Sequence, residues 1–262
     1  MSLPAPPDDV RKRAAPRGGS LHAPAAALGY ACAVVILLVA LPLEALLLAV
    51  TWPFDRNRTV PGRFLRLMAV ALSACFLTWR LRLEGRWPGK GPYVVVANHQ
   101  SMLDILLISR VPREMKWVAK QSLFRIPWMG WMFVLSGDIA VRRGDAESGS
   151  AALRKAKQYL ARGMSVMIFP EGTRSRTGAL GPFKSGAFRL AIDAGVPVLP
   201  IVVSGTAAGY PKGSPWVRPC RGVARILEPV ASDGLALEDA AKLRDAVRAR
   251  IAAALEVADP AA

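Results

Sequence analysis

Apolar residues run almost without a break from position 25 to 52, recur from 67 to 79, and beyond 83 fall into short runs separated by amphipathic segments. The first run is long enough to cross a bilayer, for which about 20 helical residues suffice. The second is too short for an independent span. Pro42 inside the first run should kink it, and Glu44 is costly in hydrocarbon unless it reaches an interface or a partner. The two stretches are therefore expected as a membrane-associated helix pair that dips into one leaflet or lies on it, a single true span being the competing arrangement.

From residue 83 onward the apolar runs are short and β-branched, and they alternate with stretches of helical period. Strands are expected at 93–97, 116–119, 138–141, 166–169, 198–203 and 223–227, and helices at 105–109, 122–134, 145–162, 184–194 and 237–257. In the last helix Leu243, Val247, Ile251 and Leu255 form one apolar stripe for packing on a sheet. This alternation predicts an α/β fold with a mixed, largely parallel sheet flanked by helices. The chain divides into a basic tail at 1–24, expected to be disordered, a membrane-associated helical segment at 25–82 and an α/β domain at 83–262.

Composition sharpens the membrane reading. Hydrophobic residues make up 52% of the chain and mean hydropathy is +0.27, high for a soluble protein carrying a net charge of +16. That charge calls for an anionic partner, either nucleic acid or an acidic lipid surface with phosphorylated substrates. No zinc spacing, RNA-recognition aromatic motif or basic recognition helix accompanies it, so nucleic acid is set aside. Arg11, Lys12, Arg13 and Arg17 precede the first apolar run and Arg56, Arg58, Arg63 and Arg66 follow it, which places both flanks, and the domain after them, on the cytoplasmic face of a cell membrane. The run ends in Thr51-Trp52-Pro53-Phe54 rather than in a small-residue cleavage site. Cys32, Cys75 and Cys220 are odd in number and far apart, so no disulfide framework is expected. One histidine in the domain and no clustered ligands leave no expected metal site.

That histidine is His99, in Asn98-His99-Gln100-Ser101-Met102-Leu103-Asp104 between an expected strand and an expected helix. Five residues along a continuous helix turn through about 500°, which would point His99 and Asp104 apart. With His99 in the turn and Asp104 in the first helical turn, the carboxylate can fold back onto one ring nitrogen and leave the other as a base for a hydroxyl. Taken alone, the same residues also describe a hydrogen-bonded turn with a helix-start aspartate. Other polar residues gather where strands end, which is where open α/β sheets bind ligands. Strand 166–169 runs into Pro170-Glu171-Gly172-Thr173-Arg174-Ser175, strand 116–119 delivers Lys120, and strand 138–141 delivers Arg142 and Arg143. Cations beside a histidine base suit a phosphorylated alcohol.

Asn-His-x4-Asp, Lys120 with Leu123-Phe124 and Pro127, Gly137-Asp138-Ile139-Ala140-Val141-Arg142, Phe-Pro-Glu-Gly-Thr-Arg-Ser and Val196-Pro197-Val198-Leu199-Pro200-Ile201 follow in that order. Together they resemble the four sequence blocks of the glycerolipid acyltransferases, specifically the bacterial 1-acylglycerol-3-phosphate type, over about residues 85 to 228. The resemblance implies an acyl-CoA or acyl-carrier-protein donor, a lysophosphatidic acid acceptor, phosphatidic acid as product and no cofactor. It implies His99 as general base supported by Asp104, Lys120 and Arg174 on the acceptor phosphate with Arg142 assisting, and Glu171 and Gly172 shaping the glycerol site. Another lyso-lipid acceptor, such as lyso-ornithine lipid, would keep the chemistry. A non-catalytic lipid-binding protein would be expected to lack His99, Asp104, Glu171 or Arg174, and all four are present. A lipase or thioesterase is disfavoured because no Gly-x-Ser-x-Gly elbow exists; Ser185 in Phe183-Lys184-Ser185-Gly186 does not fit one, and Lys184 there is a candidate for the donor phosphates.

Overall fold

The computed structural model describes residues 23–89, 91–175, 177–211 and 217–258, so the basic tail read at 1–24 lies almost wholly outside the described residues. In chain order the helices are α1 (Ala23–Thr51), α2 (Thr59–Ala74), α3 (Leu103–Ile108), α4 (Met129–Leu135), α5 (Ala146–Ala161), α6 (Gly186–Ala194), α7 (Thr206–Gly209) and α8 (Ala240–Ala258). The strands are β1 (Trp79–Glu84), β2 (Val94–Ala97), β3 (Met115–Lys120), β4 (Ile139–Val141), β5 (Ser165–Ile168), β6 (Val198–Ser204) and β7 (Cys220–Ile226). They form one sheet in the order β1-β7-β6-β2-β5-β3-β4, parallel throughout except between β6 and β7. The mixed, largely parallel sheet flanked by helices is therefore the observed fold.

β2 is central, and all four of its residues are fully buried. Val94 and Val96 face a core shared with α5, α6 and α8, whereas Val95 and Ala97 face one shared with α3. Burial on both faces explains why this strand reads as a continuous apolar run rather than an alternation. Leu243, Val247 and Ile251 of α8 point into the first core, as their spacing requires.

Two expectations need correction. The helix expected at 122–134 is a 3-10 turn, Gln121–Arg125, followed by α4, because Pro127 interrupts the helix and Trp128 takes a left-handed φ of 62°. The second apolar stretch at 67–79 is likewise not one helix. α2 starts earlier and stops at Ala74, and Trp79 already belongs to β1, whose Trp-Arg-Leu-Arg-Leu-Glu alternation pairs with β7 from Trp79↔Cys220 onward. Cys75 to Thr78 form a turn between α2 and β1, and the sheet begins at Trp79, before the boundary drawn at residue 83.

α1 runs unbroken through Pro42 and is bare along most of its length, with Val35, Val39 and Val50 each about three-fifths exposed. Its buried described positions are Gly29, Ala40, Glu44 and Thr51, of which Ala40 and Glu44, four residues apart, share one face. Ala40 packs with Leu65 of α2 and Met132 of α4. Glu44 is completely buried and lies in the field of Arg66, Asp138, Lys116 and Glu114, so the acid in the apolar run meets the domain rather than hydrocarbon. In that network Arg66 Nη2 donates to both oxygens of Asp138 at 2.7 and 2.5 Å, and Lys116 Nζ reaches Glu114 at 3.1 Å and the carbonyls of Arg58 and Ser136 at 2.9 and 2.8 Å. Gly62 lets α2 sit on it, since a Cβ there would lie 2.2 Å from a Glu114 carboxylate oxygen and 2.6 Å from Lys116 Nζ.

Candidate active site

β2 ends at Ala97, and Asn98 takes over the ladder with its side chain. Its Nδ2 donates to the Val203 carbonyl and its Oδ1 accepts from the Val203 N–H, each at 2.8 Å, which fixes the turn against β6. His99 follows in the turn and Asp104 opens α3, so the pair escapes the helical rotation that would separate them. Asp104 Oδ2 lies 2.7 Å from His99 Nδ1 and accepts the N–H groups of Gln100 at 2.7 Å and Ser101 at 2.9 Å. Its Oδ1 accepts the Thr206 hydroxyl at 2.5 Å. Four donors saturate a fully buried carboxylate, which must then be the acceptor toward the ring, so the network assigns the proton to Nδ1 and leaves Nε2 with a free lone pair. The ring is 5% exposed and stacks on Phe169 with centroids 4.0 Å apart.

The loop after β5 clamps the same turn. Glu171 Oε1 accepts the His99 N–H at 2.8 Å, and Oε2 accepts the Gly181 N–H at 3.1 Å. The Ser175 N–H donates to the His99 carbonyl at 2.8 Å. Burial pushes the Glu171 carboxyl above the ordinary range, while these two N–H bonds pull it back. Both oxygens of Glu171 are thus engaged with backbone inside the loop. Glu171→Gln, which replaces one acceptor of this half-buried side chain by an amide NH2, is expected to lower stability by about 1 kcal/mol, the worth of a typical hydrogen bond. A reduced midpoint of urea unfolding in detergent would show it, and an unchanged midpoint would mean the clamp contributes nothing.

Two cavities approach the histidine turn through its neighbours, and neither is lined by His99 or Asp104 itself. A cationic cleft of about 220 Å³ opens at the carboxyl ends of β3, β4 and β5; Lys120, Arg142, Arg143, Gly172, Lys184 and Phe169 line it. Phe169 is thus shared between the cleft and the histidine ring. An apolar cavity of about 280 Å³ lies between α1, α2, α3 and α4; Met102 and Leu103 of the histidine turn line it together with Leu37, Leu65 and Met132, and among the described residues its one charged wall residue is Arg66.

The structure brings His99, Asp104 and Glu171 into one hydrogen-bonded unit and puts Lys120, Gly172 and Arg142 on the neighbouring cleft. The Arg142 side chain is largely exposed and donates to Asp145 at 3.1 Å and to Gln121 at 3.2 Å. Arg174 is half-buried and is not among the residues that line the cleft; desolvation first, and the charge of Arg174 second, lower the Arg143 pKa. Thr206, Phe169 and the pinning amide of Asn98 were not assigned roles from the sequence. Thr206 is 102 positions from Asp104 and carries no local signal, whereas Asn98 and Phe169 adjoin the motifs and were legible as neighbours.

Residues 80–204 match the family model described as Acyltransferase. The chain is 38% identical over 203 residues to a mouse 1-acyl-sn-glycerol-3-phosphate acyltransferase alpha, covering 74% of this chain and 70% of the relative. A chloroplastic 1-acyl-sn-glycerol-3-phosphate acyltransferase of Brassica napus is 37% identical over 163 residues, or 62% of this chain and 47% of the relative. The chain spans about half the length of the plant and algal relatives it matches. The crystal structure of the 1-acyl-sn-glycerophosphate acyltransferase PlsC from Thermotoga maritima superposes with a TM-score of 0.70 at 28% identity, over 88% of this chain and 94% of that one. With a histidine-aspartate pair at the end of the central strand and these likenesses in sequence and fold, the chain belongs to the acyltransferase family that contains the 1-acyl-sn-glycerol-3-phosphate acyltransferases.

Proposed function

We propose that this protein transfers a fatty acyl group from acyl-CoA or acyl-carrier protein to the free hydroxyl of 1-acylglycerol-3-phosphate, giving phosphatidic acid. The observation that carries this reading is the saturated His99–Asp104 pair, whose stacking partner Phe169 lines a cationic cleft and whose turn residues Met102 and Leu103 line an apolar cavity. One cavity suits an acyl chain and the other suits a phosphate, with a base between them. The names of the relatives, 1-acyl-sn-glycerol-3-phosphate acyltransferases, support the same substrate.

In this mechanism His99 Nε2 takes the proton of the acceptor hydroxyl as its oxygen attacks the thioester carbonyl carbon. Asp104 keeps the ring oriented and balances the imidazolium. The tetrahedral intermediate collapses with cleavage of the carbon–sulfur bond, and the proton on Nε2 leaves with the thiolate. No acyl-enzyme forms. Lys120 and Arg174 hold the acceptor phosphate, and Gly172 leaves room in the turn beside it. Glu171 acts on the site by holding the His99 main chain. The bare apolar face of α1 lies in the membrane, with the domain on its cytoplasmic side.

Membranes carrying the protein, incubated with oleoyl-CoA or oleoyl-carrier protein and a panel of lyso-lipids, should release thiol in step with phosphatidic acid only when lysophosphatidic acid is supplied. Strong product from a lyso-lipid without a phosphate would replace the acceptor and keep the mechanism. Thiol release without any acylated lipid would make the protein a hydrolase.

A further inference from the structure

The cleft beyond Phe169 carries more positive charge than Lys120 supplies. Lys184 and Arg143 also line it, and among the described residues neither pairs with a carboxylate. Asp145 is the only acid in the wall, and its oxygens accept from Arg142 Nη1 and from the Ser148 N–H. Lys184 is placed by two local features. Its N–H donates to the Pro170 carbonyl at 2.9 Å, which ties the segment before α6 to the loop after β5. Gly172, at φ +70°, offers no side chain, and a Cβ there would sit 3.2 Å from both Cε and Nζ of Lys184. The ammonium end therefore lies against the turn at position 172, close enough that a side chain there would have to displace it slightly. Lys120 ends β3, Arg143 follows β4 and Lys184 precedes α6, so the three cations come from separate elements. Like charges gathered without a counter-charge favour an anion in the space they share.

We propose that Lys184, with Arg143 beside it, is the second bank of the acceptor-phosphate seat facing Lys120, and that this second bank makes the cleft prefer a phosphate monoester dianion over a phosphodiester. A terminal phosphate presents two charges and three free oxygens, enough to meet both banks at once. A phosphodiester head group has one charge and gains little from the second bank. The proposal rests on the reading of the chain as an acyltransferase acting on lysophosphatidic acid.

The test compares the full chain with its Lys184→Met and Lys184→Arg variants in membranes, with oleoyl-CoA as donor and either lysophosphatidic acid or lysophosphatidylglycerol as acceptor. Arg189→Met, an exposed α6 charge outside the cleft wall, serves as control. Lys184→Met should raise the lysophosphatidic acid KM about tenfold or more, the loss of one charge-assisted hydrogen bond. The KM for lysophosphatidylglycerol should barely move, and Lys184→Arg should recover most of the loss. A rise in donor KM instead would put Lys184 on the donor's phosphates and overturn the proposal, as would equal losses on both acceptors. Thermal unfolding in detergent with glycerol 3-phosphate separates this from the acyltransferase reading. If the wild type acylates neither lipid, the reading falls, yet stabilisation by glycerol 3-phosphate that disappears in Lys184→Met still supports the seat. No stabilisation of the wild type would sink it.

Discussion

His99→Ala should leave a folded protein whose acyl transfer is lower by roughly 10²- to 10⁴-fold, the usual contribution of a positioned general base. The expectation rests on the second ring nitrogen. Nδ1 is committed to Asp104, whose remaining capacity is filled by two backbone N–H groups and the Thr206 hydroxyl. In the proposed mechanism the other ring nitrogen, Nε2, takes the proton from the hydroxyl. Asp104→Asn tests the same unit differently. An amide can accept at its oxygen but presents N–H donors where Asp104 accepts, so the variant should lose activity through the tautomer of His99 and also lose stability. Steady-state transfer to lysophosphatidic acid, alongside circular dichroism to confirm the fold, reads both. Full transfer by a folded His99→Ala protein would remove the base from the mechanism.

Asp138→Ala should produce the largest loss of stability, about 3–5 kcal/mol, because it leaves a buried charge without its partner. Arg66 is 3% exposed and Asp138 4% exposed, and Asp138 also accepts the Trp117 N–H at 2.9 Å. The nearest remaining carboxylate is Glu114, 3.9 Å from Arg66 Nε and already paired with Lys116. The guanidinium is almost fully buried and lies over the Trp117 ring, 5.0 Å from its centroid. Arg66→Met combined with Asp138→Leu should recover much of the loss, since a well-packed apolar pair often replaces a buried ion pair at little net cost. Urea unfolding in detergent measures both variants. A small effect of Asp138→Ala alone would mean that water reaches Arg66. A double variant as unstable as the single one would mean that packing, rather than the stranded charge, sets the cost.

Local rules account for much of this fold. The apolar runs at 93–97, 166–169 and 198–203 correspond to β2, β5 and β6 within a residue or two, because strands buried on both faces need little from the rest of the chain to be recognised. The stripe in α8 is equally local. Two readings failed where neighbouring signals overlapped. The alternation in residues 79–84 was masked by the apolar run before it, and the helical pattern of 122–134 outweighed Pro127, which breaks the helix.

What the sequence determined by itself was that His99 and Asp104 could pair, since their spacing across a strand-to-helix turn lets the carboxylate fold back over only five residues; the structure chose that geometry over a plain turn with a helix-start aspartate. It also determined that Lys120, Arg142 and Arg143 would collect at strand ends, because Lys120 closes β3 and the two arginines follow β4 directly. The tertiary structure alone decided how these groups are divided. Glu171, expected to line a glycerol site, turns its carboxylate to the N–H groups of His99 and Gly181, because loops 72 positions apart meet once β2 pairs with β5. Thr206 reaches Asp104, and Glu44 faces Arg66 and Asp138, for the same reason. Contacts within a few residues follow from backbone geometry that the sequence specifies locally, whereas contacts across 72 or 102 residues exist only after the sheet has ordered its strands and buried its core.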